Sequence, residues 1–272
     1  MTGAFKKFYE SLQPWADSDL GGGGLRNLIV RAYHRSQKEL KIRYLPILQE
    51  LRRNPKKYGS ILEIGSGPIG LSIYTKKCVT GVDLAVEGPR FPNMKLVRGD
   101  ATALPFPDSS FDLVVALDVL EHMPKELRAK AVAEAVRVGK KRIYVGCPCG
   151  PAARAWEQKL YRRYQAVVSG WKGKPEDLDK FRKRFWYIVE HTENVLPDRR
   201  ELELCLKQAG AGRWKLIENE SVLVWYWSVT RMIRGSHWRW FFVTALYILF
   251  FPVLARVRWG GHYRDIFVLE KP

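Results

Sequence analysis

Cysteine is scarce in this chain: Cys78, Cys147, Cys149 and Cys205 are the only four in 272 residues. A disulfide framework of the kind that staples small secreted domains is therefore excluded. Cys147-Pro148-Cys149 has one intervening residue rather than two and no second cysteine pair, so it does not read as a structural zinc site. No pair of histidines at helical spacing and no partnered Asp/Glu cluster is visible, so no metal ligands are expected. The first ten residues, MTGAFKKFYE, lack a continuous apolar run, so no signal peptide is read there. Internal repeats are absent, and the one low-complexity patch is Gly21–Gly24.

Acidic residues are also short, 28 against 46 Lys/Arg, for a net charge of +18. The imbalance is uneven. Residues 1–59 hold 12 Lys/Arg against 5 Asp/Glu, whereas residues 60–150 hold 12 against 10. The excess thus flanks a nearly neutral centre and would attract anionic partners, whether acidic lipid, phosphorylated substrate or nucleic acid.

What is present is concentrated between residues 60 and 146. Ile61, Leu62 and Ile64 form an apolar run suited to a parallel strand covered on both faces. Gly65-x-Gly67-x-x-Gly70 follows, where the backbone can turn sharply and approach a ligand closely. A helix over about 68–76 would then present free N–H groups and a positive dipole end. Asp83 ends a second strand about 20 residues on, where a carboxylate can accept both ribose hydroxyls. The glycine spacing alone also fits a nicotinamide dinucleotide fold. Glu63, two residues before the first glycine, favours an amino-acid ammonium over a pyrophosphate. A third strand ends at Asp100, and FDLVVALDVLEHMP (111–124) supplies a fourth.

These four motifs, in this order, resemble the class I S-adenosylmethionine-dependent methyltransferases, in the broad group that includes the quinone-biosynthesis enzymes. The resemblance covers residues 60 to about 146. It implies an α/β fold: a doubly wound, Rossmann-like seven-stranded sheet with its last strand antiparallel, an N-terminal helical cap and an apolar insertion before the last strand. It implies S-adenosyl-L-methionine as cofactor. Gly65, Ser66 and Gly67 would wrap its methionine part, with Glu63 supporting the ammonium group. Asp83 would hold the ribose, Leu84 would lie against the adenine, Asp100 and Ala101 would bind the adenine edge, and Leu117 would line the pocket near the methyl group. The family often has glycine at the position of Ile69, whereas here it stands at Gly70.

Four segments are expected: an N-terminal helical cap (1–55), the cofactor-binding core (56–150), a variable substrate cap (151–212) and C-terminal strands completing the sheet (213–272). A basic amphipathic helix is read over 25–52, with Pro46 kinking or dividing it. Strands are expected near 60–64, 78–83, 95–98, 111–117 and 141–146, and helices over 124–138 and 198–209. Residues 214–229 read as a long strand and 263–271 as another. Between them lies an apolar insertion, 232–260, containing WFFVTALYILFFPVLA (240–255). Those 16 residues are short of the ~20 needed to span a bilayer. With Trp238, Arg239, Arg256, Arg258 and Trp259 around it, the segment 238–258 suits contact with an anionic membrane surface; internal packing and an oligomer contact are the alternatives.

His122, just after the fourth strand, and His191, in a loop of the cap beside Glu190, are the candidate catalytic bases, since imidazole is tuned for proton transfer near neutral pH. Asp118 would orient the acceptor or cap the next helix. The Asn-Pro-Pro-Tyr motif of base-amino methyltransferases is missing, so DNA is not an expected substrate, while RNA stays open. The reading is a cytoplasmic, peripherally membrane-attached methyltransferase for a lipophilic or lipid-linked small molecule. A soluble enzyme for a polar metabolite or RNA, or a nicotinamide-dependent oxidoreductase, is the alternative.

Overall fold

The computed structural model describes residues 38–87, 91–234 and 260–271. The Gly21–Gly24 break, the start of the N-terminal helix and the apolar run 240–255 lie outside them.

A seven-stranded sheet organises the described residues. Its strands are β1 (Ile61–Ile64), β2 (Val79–Asp83), β3 (Met94–Arg98), β4 (Phe111–Leu117), β5 (Gly139–Pro148), β6 (Trp214–Ser221) and β7 (His262–Glu270), in the spatial order β3-β2-β1-β4-β5-β7-β6. The first five pair in parallel, while β7 runs antiparallel to both β5 and β6. The expected doubly wound sheet is therefore present. The order reverses between β1 and β4, and a cleft at such a switch point, outside the carboxyl ends of the strands, is where ligands bind in this architecture.

β1 and β4 are buried almost throughout, as strands covered on both faces must be. One face packs on α2 (Lys125–Val138) and α6 (Arg199–Gln208) through Val132, Ala135, Leu202 and Leu206. The other packs on α1 (Lys38–Arg53) through Tyr44, Ile47 and Leu51. A third cluster builds the cap from α3 (Gly150–Ser169), α4 (Pro175–Arg184), α5 (Trp186–Glu193) and α7 (Val222–Arg234). Leu160, Phe185, Ile188 and Trp225 meet there around Tyr263 of β7.

Four expectations need correction. α1 is not divided at Pro46, which lies inside it. Proline deprives the carbonyl four residues back of its helical partner, and that carbonyl, Ile42 O, instead accepts the Asn219 side-chain amide at 3.1 Å. The strand read over 214–229 stops at Ser221 and becomes α7. Glu220 takes a φ of +61°, which breaks the extended run, and Val222, Trp225 and Val229 then bury one helical face in the cap. The helix read over 68–76 is a single 3-10 turn, Gly70–Tyr74, too short to carry the dipole expected of it. His191 sits within α5 rather than in a loop.

Candidate functional site

The glycine turn after β1 is tied to β2 by two hydrogen bonds, from Gly65 N (2.8 Å) and Ser66 N (3.3 Å) to Val82 O. Gly65 has φ +67°, and a Cβ there would lie 2.3 Å from Val119 Cγ2, so a side chain is barred both by conformation and by contact. Gly67, at φ +53°, is different: a Cβ would meet nothing within 4 Å. Open space beside a left-handed glycine is what a ligand lying along the backbone requires.

Asp83 faces this turn from the end of β2. Its Oδ2 accepts the Gly67 N–H at 2.7 Å and its Oδ1 the Ala85 N–H at 3.0 Å. A carboxylate has about four lone-pair sites, so both oxygens retain capacity for a ligand diol. Next to it, Leu84 is 69% exposed, an apolar side chain left uncovered. Asp100 forms a tight turn in which Oδ1 accepts both the backbone N–H and the hydroxyl of Thr102. Those bonds, above all the backbone one, hold its carboxyl below the usual range. Ala101 follows it on the same turn and packs against the core, and Leu117 is buried in the cluster facing α1.

Glu63 is only 2% exposed. Tyr44 of α1 donates to its Oε1, and Leu71 N–H donates to its Oε2 at 2.7 Å. Burial pushes its pKa up to about 7, against the Tyr44 and Leu71 hydrogen bonds and the nearby Arg43 charge.

At the end of β4 a second polar centre begins. Asp118, at φ +55°, accepts both arms of Arg264 from β7, Nε at 2.5 Å and Nη2 at 2.6 Å, and Arg43 approaches at 3.3 Å. Arg264 also donates to Glu220 and Asn219 of β6. Burial alone would raise the Asp118 pKa, but the two guanidinium groups hold it at about 2. Asp118 thus locks α1, β4, β6 and β7 together rather than capping the next helix.

His122 and His191, 69 positions apart in the chain, are brought side by side, with ring centroids 4.8 Å apart. His122 Nδ1 lies 2.6 Å from Glu190 Oε2, and His191 Nδ1 lies 3.1 Å from Glu157 Oε1. Burial opposes protonation of His191, yet the Glu157 hydrogen bond and charge leave its pKa raised. Glu121, buried between them, is pushed up to about 7 by burial and by Asp118. Arg128 fixes this region. It donates to Leu120 O, to Asn194 O and Val195 O beyond α5, and to Glu201 of α6.

Motif reading reached Glu63, Asp83, Asp118 and the two histidines, because each lies beside a strand end or in a polar run. Arg43, Glu157, Arg128 and Arg264 were not reached. They come from distant elements, and no local pattern marks them. Cys147 and Cys149 are buried, and burial pushes both thiols far up, so neither is a thiolate nucleophile. A cavity of about 740 Å³ lies elsewhere, among Glu50, Arg142, Trp214 and Glu270. Of the parallel strands only β5 lines it, through Arg142 and Tyr144.

Residues 62–147 match the family model described as a methyltransferase domain. A protein of Encephalitozoon cuniculi described as a methyltransferase is 28% identical over 120 residues, 41% of this chain; the chain spans 55% of that relative's length. Among solved structures, a methyltransferase from Thermotoga maritima described as a possible histamine N-methyltransferase aligns over 89% of this chain and 96% of its own, at 17% identity and TM-score 0.48. Phosphoethanolamine N-methyltransferase 2 of Haemonchus contortus, in complex with S-adenosyl-L-methionine, aligns over 82% of this chain and 51% of its own, at 16% identity and TM-score 0.46.

Proposed function

Residues 62–147 form a class I S-adenosylmethionine-dependent methyltransferase domain, and from that premise we propose that the protein transfers a methyl group to a lipophilic or lipid-linked small molecule at a membrane surface. The observation that carries the methyl-transfer part is the Gly65–Gly67 turn facing Asp83, with open space at Gly67 and spare acceptor capacity on the carboxylate. When bound, the cofactor supplies an electrophilic methyl group on a sulfonium.

The chain's own residues position and shield. Gly65, Ser66 and Gly67 would hold the amino-acid portion by their backbone, Asp83 the sugar hydroxyls, and Leu84 with Asp100 and Ala101 the base. In-line displacement needs chiefly alignment and exclusion of water, which the aromatic cap over the end of β4 suits. Glu121, His122 and His191 form the polar wall at which an acceptor proton can leave.

The lipophilic acceptor rests on the apolar segment 240–255 with its aromatic and basic rim, and on the basic excess of the flanking regions. No helix of the described residues is long and apolar enough to cross a membrane. The attachment we propose is interfacial contact through 238–258, whose 16-residue apolar run is shorter than the ~20 residues of a span. Three experiments test the reading. Calorimetry should give binding of S-adenosyl-L-methionine and none of a nicotinamide dinucleotide; the reverse result would overturn it. Incubation with labelled methyl donor and a membrane extract should put label in lipid, and label confined to RNA or the aqueous pool would remove the lipophilic acceptor. A variant lacking 238–258 should lose flotation with anionic liposomes.

A further inference from the structure

Three metal-type ligands converge beside the end of β4, and none of them is among the residues proposed to hold the cofactor. Glu121, His122 and His191 each offer one ligand atom, and these atoms lie within 4.8 Å of one another. Glu121 Oε1 is 4.0 Å from His122 Nε2, close to twice a metal–ligand bond of about 2.0–2.2 Å. Glu121 Oε2 and His191 Nε2 are both buried without a hydrogen-bond partner, in residues only 1% and 8% exposed. Leaving such atoms unpaired in a dry interior is unfavourable. A cation between them would satisfy both.

The far sides of the two rings are organised for this. Glu190 accepts from His122 Nδ1 and Glu157 from His191 Nδ1, and Glu157 is itself anchored by the Tyr263 hydroxyl. A carboxylate on Nδ1–H fixes the tautomer whose Nε2 carries the free lone pair, the arrangement found behind metal-bound imidazoles. The other ligand-type cluster among the described residues, Glu218, His262 and Asp265, is unlike it. There Arg199 already places its guanidinium on Asp265 and Glu218, so the positive charge is built in.

We propose that Glu121, His122 and His191 bind one divalent transition-metal ion of the zinc type, with Glu190 and Glu157 orienting the imidazoles and one coordination position left open. Two nitrogens and one carboxylate favour such an ion over magnesium, which demands oxygen ligands. His122 is 30% exposed and gives the ion a way in. The claim is one of ion binding and stands without methyl transfer. On the methyl-transfer reading, the open position would grip the acceptor's donor atom and lower its pKa, and the imidazoles would then be ligands rather than bases.

The full chain, stripped with a chelator, should bind one equivalent of Zn²⁺ by calorimetry and give visible absorption bands on adding Co²⁺, with no comparable heat from Mg²⁺. X-ray absorption on the zinc-loaded unmodified protein should report two imidazole ligands and no sulfur. E190Q, which touches no ligand atom of the ion, should weaken Zn²⁺ binding about 10–100-fold, and H191A should abolish it, while H262Q leaves it unchanged. Circular dichroism confirms that each variant is folded. Sulfur ligation from Cys147 or Cys149, binding of Mg²⁺ alone, or Zn²⁺ affinity that survives the joint replacement of His122 and His191 would each overturn the proposal.

Discussion

Gly70 and Glu63 are shaped to each other: a Cβ on Gly70 would lie 2.1 Å from Glu63 Oε2. The third glycine of the motif therefore makes room for a buried carboxylate of the preceding strand rather than for a ligand. Gly67 has the opposite surroundings, with no atom within 4 Å of the missing Cβ. The two glycines should separate stability from binding. G70A must displace Glu63 as well as strain a backbone at φ +46°, and is expected to cost about 2–4 kcal/mol of stability. G67A carries only the left-handed strain of about 1–2 kcal/mol, yet should lose cofactor affinity at least 10-fold. Thermal unfolding and calorimetry on both variants check this; equal loss of affinity with equal loss of stability would count against a ligand at Gly67.

Glu63 titrates near neutrality. Its folded pKa of about 7 lies above the unfolded value, so its contribution to stability is full below the unfolded pKa and is lost as pH rises through about 7. A positive ammonium group arriving beside it would lower that pKa and expel a proton. Cofactor binding at pH 6.5 should then release a fraction of a proton, measured as a buffer-dependent binding enthalpy. E63Q should abolish the release. A binding enthalpy independent of buffer at pH 6.5 would place the ammonium elsewhere.

Arg264 joins Asp118 to Glu220 with almost no water around it, being 3% exposed. Removing one member of such a group leaves uncompensated charge in the interior. R264Q is expected to lower stability by about 3–5 kcal/mol. R98Q, which breaks the exposed Arg98–Glu87 pair, should change it by less than about 1 kcal/mol. Urea unfolding of both variants gives the comparison. Acid should destabilise the protein by the same route: the Asp118 contribution is complete above the unfolded carboxylate range and is lost as pH falls towards about 2.

The sheet could be read before the structure because its strands announce themselves locally, as apolar runs ending in glycine or a carboxylate. The glycine turn and Asp83 were legible for the same reason. What escaped was set by contacts between remote elements. Pro46 stays in an unbroken helix because Asn219, 173 positions away, takes over the stranded carbonyl. Residues 222–229 have strand-like composition, and only the packing of Trp225 on Tyr263, ring centroids 3.9 Å apart, shows why they coil instead. His191 drew notice as a lone imidazole; that it meets His122 depends on how the cap folds back.

Arg128 controls that folding back. Its guanidinium holds the carbonyls of Leu120, Asn194 and Val195 at once, and Val195 is a β-branched residue kept at φ +54°. R128K keeps the charge but loses the fork, at a cost of about 1–3 kcal/mol. The residues proposed for the cofactor lie at the ends of β1 to β4, and Arg128 bonds none of them, so affinity for S-adenosyl-L-methionine should hold within about 3-fold while kcat falls at least 10-fold. A matched fall in both would mean that Arg128 supports the whole cleft and not the cap alone.

The last hairpin of the sheet is tied shut at its base, where Val222 N–H reaches Gly261 O at 3.1 Å and Ser221 pairs with His262. Whatever sequence lies beyond α7 is carried as a side excursion from a closed ring, and lengthening such an excursion adds entropy cost only logarithmically. Changes of length or sequence between Arg234 and Gly260 are therefore expected to leave the strand pairing unchanged, provided the stretch still spans the roughly 18 Å length of α7 on its way back. The sheet and the sequence inserted beside its last strand are free to diverge independently.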